Sequence, residues 1–237
     1  MSVIKRIAYQ MFNALYTLKG FGIIHCDIKP ENILLVNLTR TSIKLIDLGS
    51  ACYQDQTLYS YIQSRFYRAP EIILGIPYTS AIDIWSLGCV LVELYTGIPL
   101  FPGENESEQL LCIMELLGPP PEHLLESSTK KGQFFDENFE LKTTCNSRGK
   151  TRLQASRSLK NILKGAEVEL LDLIEMCLQW DPETRIKPEA ALKIDWLKIG
   201  VVIKKPMDKR KTFVIESKQL SSIKRLVNHR TQLSEML

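Results

Sequence analysis

No CxxC pair occurs in the 237 residues, and the six cysteines fall at irregular intervals. This spacing argues against both a cysteine-ligated zinc site and the cross-linked framework of a small secreted domain. Cys89, Cys112 and Cys177 are instead expected to be small core residues. No GxGxxG run is present either, so no loop of that kind cradles phosphate within these residues. Met1 to Lys19 lacks the apolar centre and cleavage site of a secretion signal. Residues 82–101 are mostly apolar, but Asp83 and Glu93 among them argue for a buried core helix over a membrane span. Neither sign of charge is in large excess, with 30 Lys and Arg against 27 Asp and Glu. At 45% hydrophobic and 24% charged residues, the chain has material for one globular unit with an ample core.

What charge there is lies unevenly. From Lys198 to the end ten Lys and Arg face three acidic residues, whereas residues 1–197 hold 20 against 24. Residues 198–237 therefore read as a basic C-terminal extension, partly helical from Lys218 to Leu233. Such an extension could contact acidic partners or nucleic acid, direct nuclear entry, or be a solvated tail. Nucleic acid has no support outside this tail.

Three ordered blocks carry the chemistry. His25-Cys26-Asp27-Ile28-Lys29-Pro30-Glu31-Asn32 is followed fifteen residues later by Asp47-Leu48-Gly49, and then by Ala69-Pro70-Glu71. Together they spell H-x-D-x-x-x-x-N, D-x-G and A-P-E, the catalytic half of a protein kinase. The general kinase template assigns the roles. Asp27 is the base that accepts the acceptor hydroxyl's proton. Lys29 reaches the γ-phosphate of ATP as a compact cation. Asn32 and Asp47 offer the oxygen ligands that Mg2+ prefers. Pro30 stops helix continuation and keeps the segment a loop. The runs Ile33–Val36 and Ile43–Ile46, around a polar turn at 37–42, predict a hairpin that brings Asn32 and Asp47 to one end.

The chain resembles the dual-specificity tyrosine-regulated kinase (DYRK) family of the CMGC group. The resemblance rests on His25-Cys26-Asp27, with Cys where most kinases have Arg. It rests also on Asp47-Leu48-Gly49-Ser50-Ala51-Cys52 and, most specifically, on the run from Tyr59 to Glu71. It extends from about residue 3 to residue 197. It implies a kinase-like fold, mainly α, with a large helical C-terminal lobe and a short β-hairpin at the catalytic loop. With no upstream glycine-rich loop or VAIK-type Lys, the N-terminal β lobe is expected to be absent and the chain shortened at its N-terminus. Implied activity is transfer of the ATP γ-phosphoryl to Ser or Thr hydroxyls of proteins, directed to Ser/Thr-Pro with Gln63 to Arg68 as the reader. The alternative is an inactive lobe acting as a protein-binding module.

By the same resemblance Tyr61 is the activation-loop tyrosine the enzyme phosphorylates on itself, with Arg65 and Arg68 to receive the phosphate; ordinary aromatic packing is the other reading of Tyr61. Glu71 and Arg185 form the ion pair that holds the activation segment, and Asp83 braces the catalytic loop. Leu48 stands where the family usually has Phe and can still pack beneath Asp47. Cys26 and Cys52 are expected to be neighbours and candidates for a reversible redox link. Residues 119–164 resemble the CMGC insert, either a partner surface or a packed excursion. An intracellular setting, cytoplasmic or nuclear, follows from the family. Local patterns predict helices over 3–18, Ala81–Leu94 with Ser80 as N-cap, Glu106–Leu117, a core face at Leu170, Leu173, Ile174, Cys177 and Leu178, and Pro188–Leu197.

Overall fold

Ser2–Gly20 forms the first helix, α1, because Ile4, Ile7, Ala8, Met11, Leu15 and Leu18 recur at helical spacing and bury one face. Gly22 ends it in the left-handed region, at φ 68, where a side chain would be strained. The computed structural model describes residues 1–37, 40–56, 61–143 and 145–198. The basic extension, apart from Lys198, lies outside the described residues.

Two small antiparallel sheets follow α1 in the chain. β1 (Ile23–Ile24) pairs with β4 (Cys52–Tyr53), and β2 (Ile33–Asn37) pairs with β3 (Arg40–Leu45) in the register Ile33↔Leu45 and Leu35↔Ile43. The second pair is the hairpin the β-branched runs predict, and its strands reach further into the turn than expected. After these the chain is helical: α2 (Pro70–Leu74), α3 (Ala81–Thr96), α4 (Glu106–Leu117), α5 (Glu122–Glu126), α6 (Lys131–Phe134), α7 (Leu159–Ile162), α8 (Val168–Cys177), α9 (Pro188–Ala191) and α10 (Asp195–Lys198). Helices thus dominate the described residues, as the mainly α reading requires.

α3 is the central element. Every residue from Ile82 to Val92 is buried, Asp83 included, which explains why its sequence is apolar on all sides. It packs on α1 and α8, and its Trp85 stacks on Phe101 with ring centroids 5.7 Å apart. Gly88 lets α3 and α8 approach: a Cβ built there would lie 2.9 Å from Cys177 Cβ. Gly88→Ala should therefore destabilise the fold by about 1–3 kcal/mol through overpacking. Gly132→Ala, with nothing within 4 Å, should leave the urea midpoint unchanged or raise it; equal midpoints for the two variants would contradict the close approach.

Two local expectations need adjusting. Ser80 takes the N-cap position of α3 as expected, but its backbone is already helical and its side chain makes no capping bond; the Oγ1 of Thr79 accepts from Ala81 N instead. The predicted helix Pro188–Leu197 is two short helices. Between them Lys193 N bonds Ala190 O and Ile194 N bonds Ala191 O, three-residue closures that tighten and turn the chain. The turn lets Trp196 and Leu197 bury beside α1. Tertiary burial overrides the local periodicity there. Cys89, Cys112 and Cys177 are core residues as expected; burial pushes the Cys112 thiol up to about 11 and the Cys177 thiol up to about 12, which leaves both inert at neutral pH.

The segment 119–164 docks on α4. Arg152 reaches Glu108 at 2.9 Å and Glu115 at 2.7 Å, with all three side chains largely buried. Ala155 N and Arg157 N add backbone bonds to Met114 O and Glu115 O.

Candidate active site

The loop leaving β1 is held in a conformation it would not choose alone. Cys26 sits at φ 65 and is fully buried, a backbone state that costs a non-glycine residue about 1–2 kcal/mol. Asp83, reaching up from the first turn of α3, holds it there. Its two carboxylate oxygens accept from His25 N at 2.8 Å and Cys26 N at 3.0 Å. Burial pushes the Asp83 carboxyl upward, opposed by His25 and by these two backbone donors.

His25 ties the loop to the hairpin. Its Nδ1 accepts from Asp27 N, so Nε2 carries the proton and donates to Ile46 O at 3.1 Å. Ile46 N in turn donates to Asn32 O at 3.0 Å. These bonds, with the β2–β3 register, bring Asn32 and Asp47 to the same end of the hairpin.

Asp27 stands at the centre of the site. Lys29 Nζ donates to Oδ2 at 2.8 Å, and the Ser64 hydroxyl donates to Oδ1 at 2.8 Å with Ser64 N behind it at 3.3 Å. Burial pushes the Asp27 carboxyl up, but the Lys29 and Ser64 donors outweigh it and hold the group below the usual carboxylate range. Asn32 spends its NH2 on Asp27 O at 2.8 Å and on Oδ2 at 3.2 Å. That leaves its amide oxygen for another ligand. Asp47 is exposed at φ 64, with Oδ1 accepting from Gly49 N. Among the described residues no group of three or more His, Cys, Asp or Glu forms a metal cluster. An amide oxygen and an exposed carboxylate at one end of the hairpin nevertheless suit Mg2+, which takes most of its ligands from phosphate and water.

Beyond Asp27 lies the segment Tyr61–Arg68. Gln63, at φ 66, is buried and acts as an internal strut: its Nε2 donates to Ile82 O and Ser86 Oγ, and its Oε1 accepts from Ala69 N. Arg68 is buried too. Its Nε bonds Ile62 O, its NH2 bonds Gln63 O at 2.9 Å, and its NH1 bonds Glu106 at 3.0 Å. Tyr61 is 66% exposed, with its ring 4.2 Å from the Arg68 guanidinium. Arg68 first, and Arg65 after it, hold the Tyr61 hydroxyl below its ordinary value. Glu71 and Arg185 meet in a doubled contact at 2.6 Å on each arm, with both side chains 1% exposed. Cys26 Sγ and Cys52 Sγ lie 3.6 Å apart. Leu48 is half-buried and packs against the core.

Two residues that matter here were not given roles by the motifs. Ser64 lies within the activation-segment run, but its contact with Asp27 spans 37 positions and no local spacing reveals it. His25 opens the first block, and only the fold discloses that its ring bridges to Ile46.

Residues 1–197 match the protein kinase domain family. The chain is 49% identical over 197 residues to the human dual specificity tyrosine-phosphorylation-regulated kinase 4, covering 83% of this chain and 38% of that relative. It is 50% identical over 197 residues to the Drosophila melanogaster dual specificity tyrosine-phosphorylation-regulated kinase 2, covering 83% of this chain and 27% of the relative. The Schizosaccharomyces pombe DYRK-family kinase pom1 is 48% identical over 195 residues, 82% of this chain and 18% of the relative. The chain thus spans well under half the length of these curated relatives.

Proposed function

The chain belongs to the protein kinase family, in its DYRK branch, and from that premise we propose that it carries the phosphotransfer centre of a Ser/Thr kinase that also phosphorylates its own Tyr61. The carrying observation is the Asp27 carboxylate, ionised and held between Lys29 and Ser64. Asp27 receives the hydroxyl of the protein substrate and orients its oxygen for attack, taking the proton as the bond to phosphorus forms. Lys29, on the same carboxylate, places its charge beside the incoming phosphoryl group. Asn32, through its amide oxygen, and Asp47, through its carboxylate, would hold Mg2+, which when bound neutralises charge on the transferring phosphates.

Preference for Ser/Thr-Pro has a physical basis in Gln63. Gln63 is buried with its backbone at φ 66, and its carbonyl accepts from the buried Arg68 NH2; in this reading that oxygen is turned to Arg68 and not to the N–H of the residue after the acceptor hydroxyl. Proline has no N–H to leave unpaired, whereas another residue there would lose about 1–3 kcal/mol. Matched Ser-Pro and Ser-Ala peptides should differ by about tenfold or more in kcat/KM; equal values would remove the proline reading. The 237 residues contain no glycine-rich loop or VAIK-type Lys, and adenine needs a small lobe supplied from outside them. Phosphotransfer by these residues alone is therefore expected to stay at background, and to appear when a kinase small lobe is joined to them.

Cys26 and Cys52 form a redox pair in this reading. Peroxide would oxidise the two thiols to one disulfide while its O–O bond breaks and two waters leave. Closing 3.6 Å to about 2.05 Å pulls on the residue next to Asp27, so oxidation should slow transfer and dithiothreitol should restore it. Cys26→Ser should remove the sensitivity; unchanged thiol content across a peroxide titration would contradict the pairing.

A further inference from the structure

A cleft of about 630 Å³ opens beside the activation segment, lined by Tyr61 and Arg65 on one side, Glu104 and Glu106 before and at the start of α4, and Asn146 and Ser147 of the insert on the other. Its walls are joined by polar contacts. Arg65 NH1 donates to Glu104 O, and Arg68 NH1 to Glu106. Glu104 then clasps the insert: its two carboxylate oxygens accept from Ser147 N and Ser147 Oγ. Glu108 adds Asn146 and Arg152.

The three carboxylates are not equally secured. Glu106 is paired with Arg68 and Glu108 with Arg152. Among the described residues no Lys or Arg side chain reaches the Glu104 carboxylate, whose partners there are the neutral donors of Ser147. Tyr61 shares the cleft with it, and the Tyr61 hydroxyl already feels both guanidiniums. Among the described residues Arg65 Nε is buried without a hydrogen-bond partner, a ready donor for an anion on that hydroxyl.

We propose that phosphorylation of Tyr61 unclasps the insert: the phosphate draws Arg65 and Arg68 from Glu104 O and Glu106, and its charge drives the Glu104 carboxylate off Ser147. A phosphotyrosine brings about −1.5 to −2 charges into a space whose carboxylates are already three. The least compensated contact, Glu104 with Ser147, gives way first. The 145–151 hairpin, closed by the Cys145↔Thr151 bridge, thereby reports the state of the activation segment to whatever the insert meets.

The inference rests on Tyr61 being a phosphorylation site, and the test separates the two. Phosphotyrosine is installed at position 61 of the full 237-residue chain by genetic encoding, independent of any self-phosphorylation, and amide hydrogen exchange is compared with the unmodified chain. Exchange at Ser147 should rise about tenfold, the loss expected for one charge-assisted hydrogen bond, while α8 stays unchanged. In Glu104→Gln, whose amide oxygen can still accept from Ser147 but carries no charge, phosphotyrosine should have no such effect. At about 1 M salt, where screening acts within ~3 Å, the rise should shrink towards nothing. No change at Ser147, an equal rise in Glu104→Gln, or a rise that persists at high salt would each overturn the proposal. Should Glu104→Gln lose α8 protection through misfolding, the salt series decides.

Discussion

Asp27→Asn, in the chain joined to a kinase small lobe, is expected to lower phosphotransfer to a Ser-Pro peptide by about 10²–10⁴-fold. Asparagine keeps the size of the side chain and still accepts the Ser64 hydroxyl bond made at 2.8 Å. It removes the charge that holds Lys29 Nζ at 2.8 Å and the group that receives the acceptor's proton. The loss should therefore fall on kcat more than on KM, since the peptide is still bound. Stability should change little, because Asp27 and Lys29 are both partly solvated. The pH dependence follows from the same contacts. The folded carboxyl is held below its ordinary value by Lys29 and Ser64 against the upward push of burial, so it stays ionised as pH falls through the usual carboxylate range. Any stability it adds is present above the unfolded value and is lost only as pH falls through the folded one. Transfer should hold steady from neutral pH into mild acid; a rate governed by a group near neutrality would point to a different base.

Arg185→Ala is expected to cost about 3–5 kcal/mol of folding stability, read as a shift in the urea midpoint, because it strands a buried carboxylate. Glu71 and Arg185 make a two-armed contact with both side chains 1% exposed. Arg185 also donates to Gln179 O, Ala81 O and Trp180 O and lies over the Trp85 ring. One guanidinium thus fixes α2, the start of α3 and the loop after α8, and through α2 the end of the activation segment. Arg185→Lys should fall well short of rescue, since an ammonium cannot present the fork. The exposed pair Lys198–Asp195, with side chains 41% and 92% exposed, supplies the contrast: Lys198→Ala should shift stability by well under 1 kcal/mol. Equal effects at the two sites would mean that burial does not set the strength of the Arg185 contact.

Much of this arrangement was legible in the order of residues, and the reason is locality. The amphipathic spacing of α1, the Glu106–Leu117 span of α4 and the buried face of α8 each depend on neighbours within a few turns. The hairpin was legible because two β-branched runs flank a polar turn, and it sufficed to set Asn32 near Asp47. Contacts made across long stretches of chain were not. Ser64 on Asp27, Arg152 between Glu108 and Glu115, and Gln63 as an internal strut depend on packing that no short window contains. The motif reading gave Arg68 as a receiver for phosphate; the three contacts it already makes, to Ile62 O, Gln63 O and Glu106, come only from the fold. At the start of α3 the N-cap position falls on Ser80 as read, and only which of two adjacent hydroxyls bonds Ala81 N, that of Thr79, is settled by backbone geometry.

The most direct measurement is transfer of labelled γ-phosphoryl from ATP–Mg2+ to a Ser-Pro peptide by three proteins: the 237 residues alone, the same residues joined to a kinase small lobe, and that fusion carrying Asp27→Asn. A phosphotransfer centre built on Asp27 requires background incorporation by the first, clear incorporation by the second, and a fall of about 10²–10⁴-fold in the third. Incorporation that survives Asp27→Asn undiminished, or a well-folded fusion that transfers nothing, would contradict it.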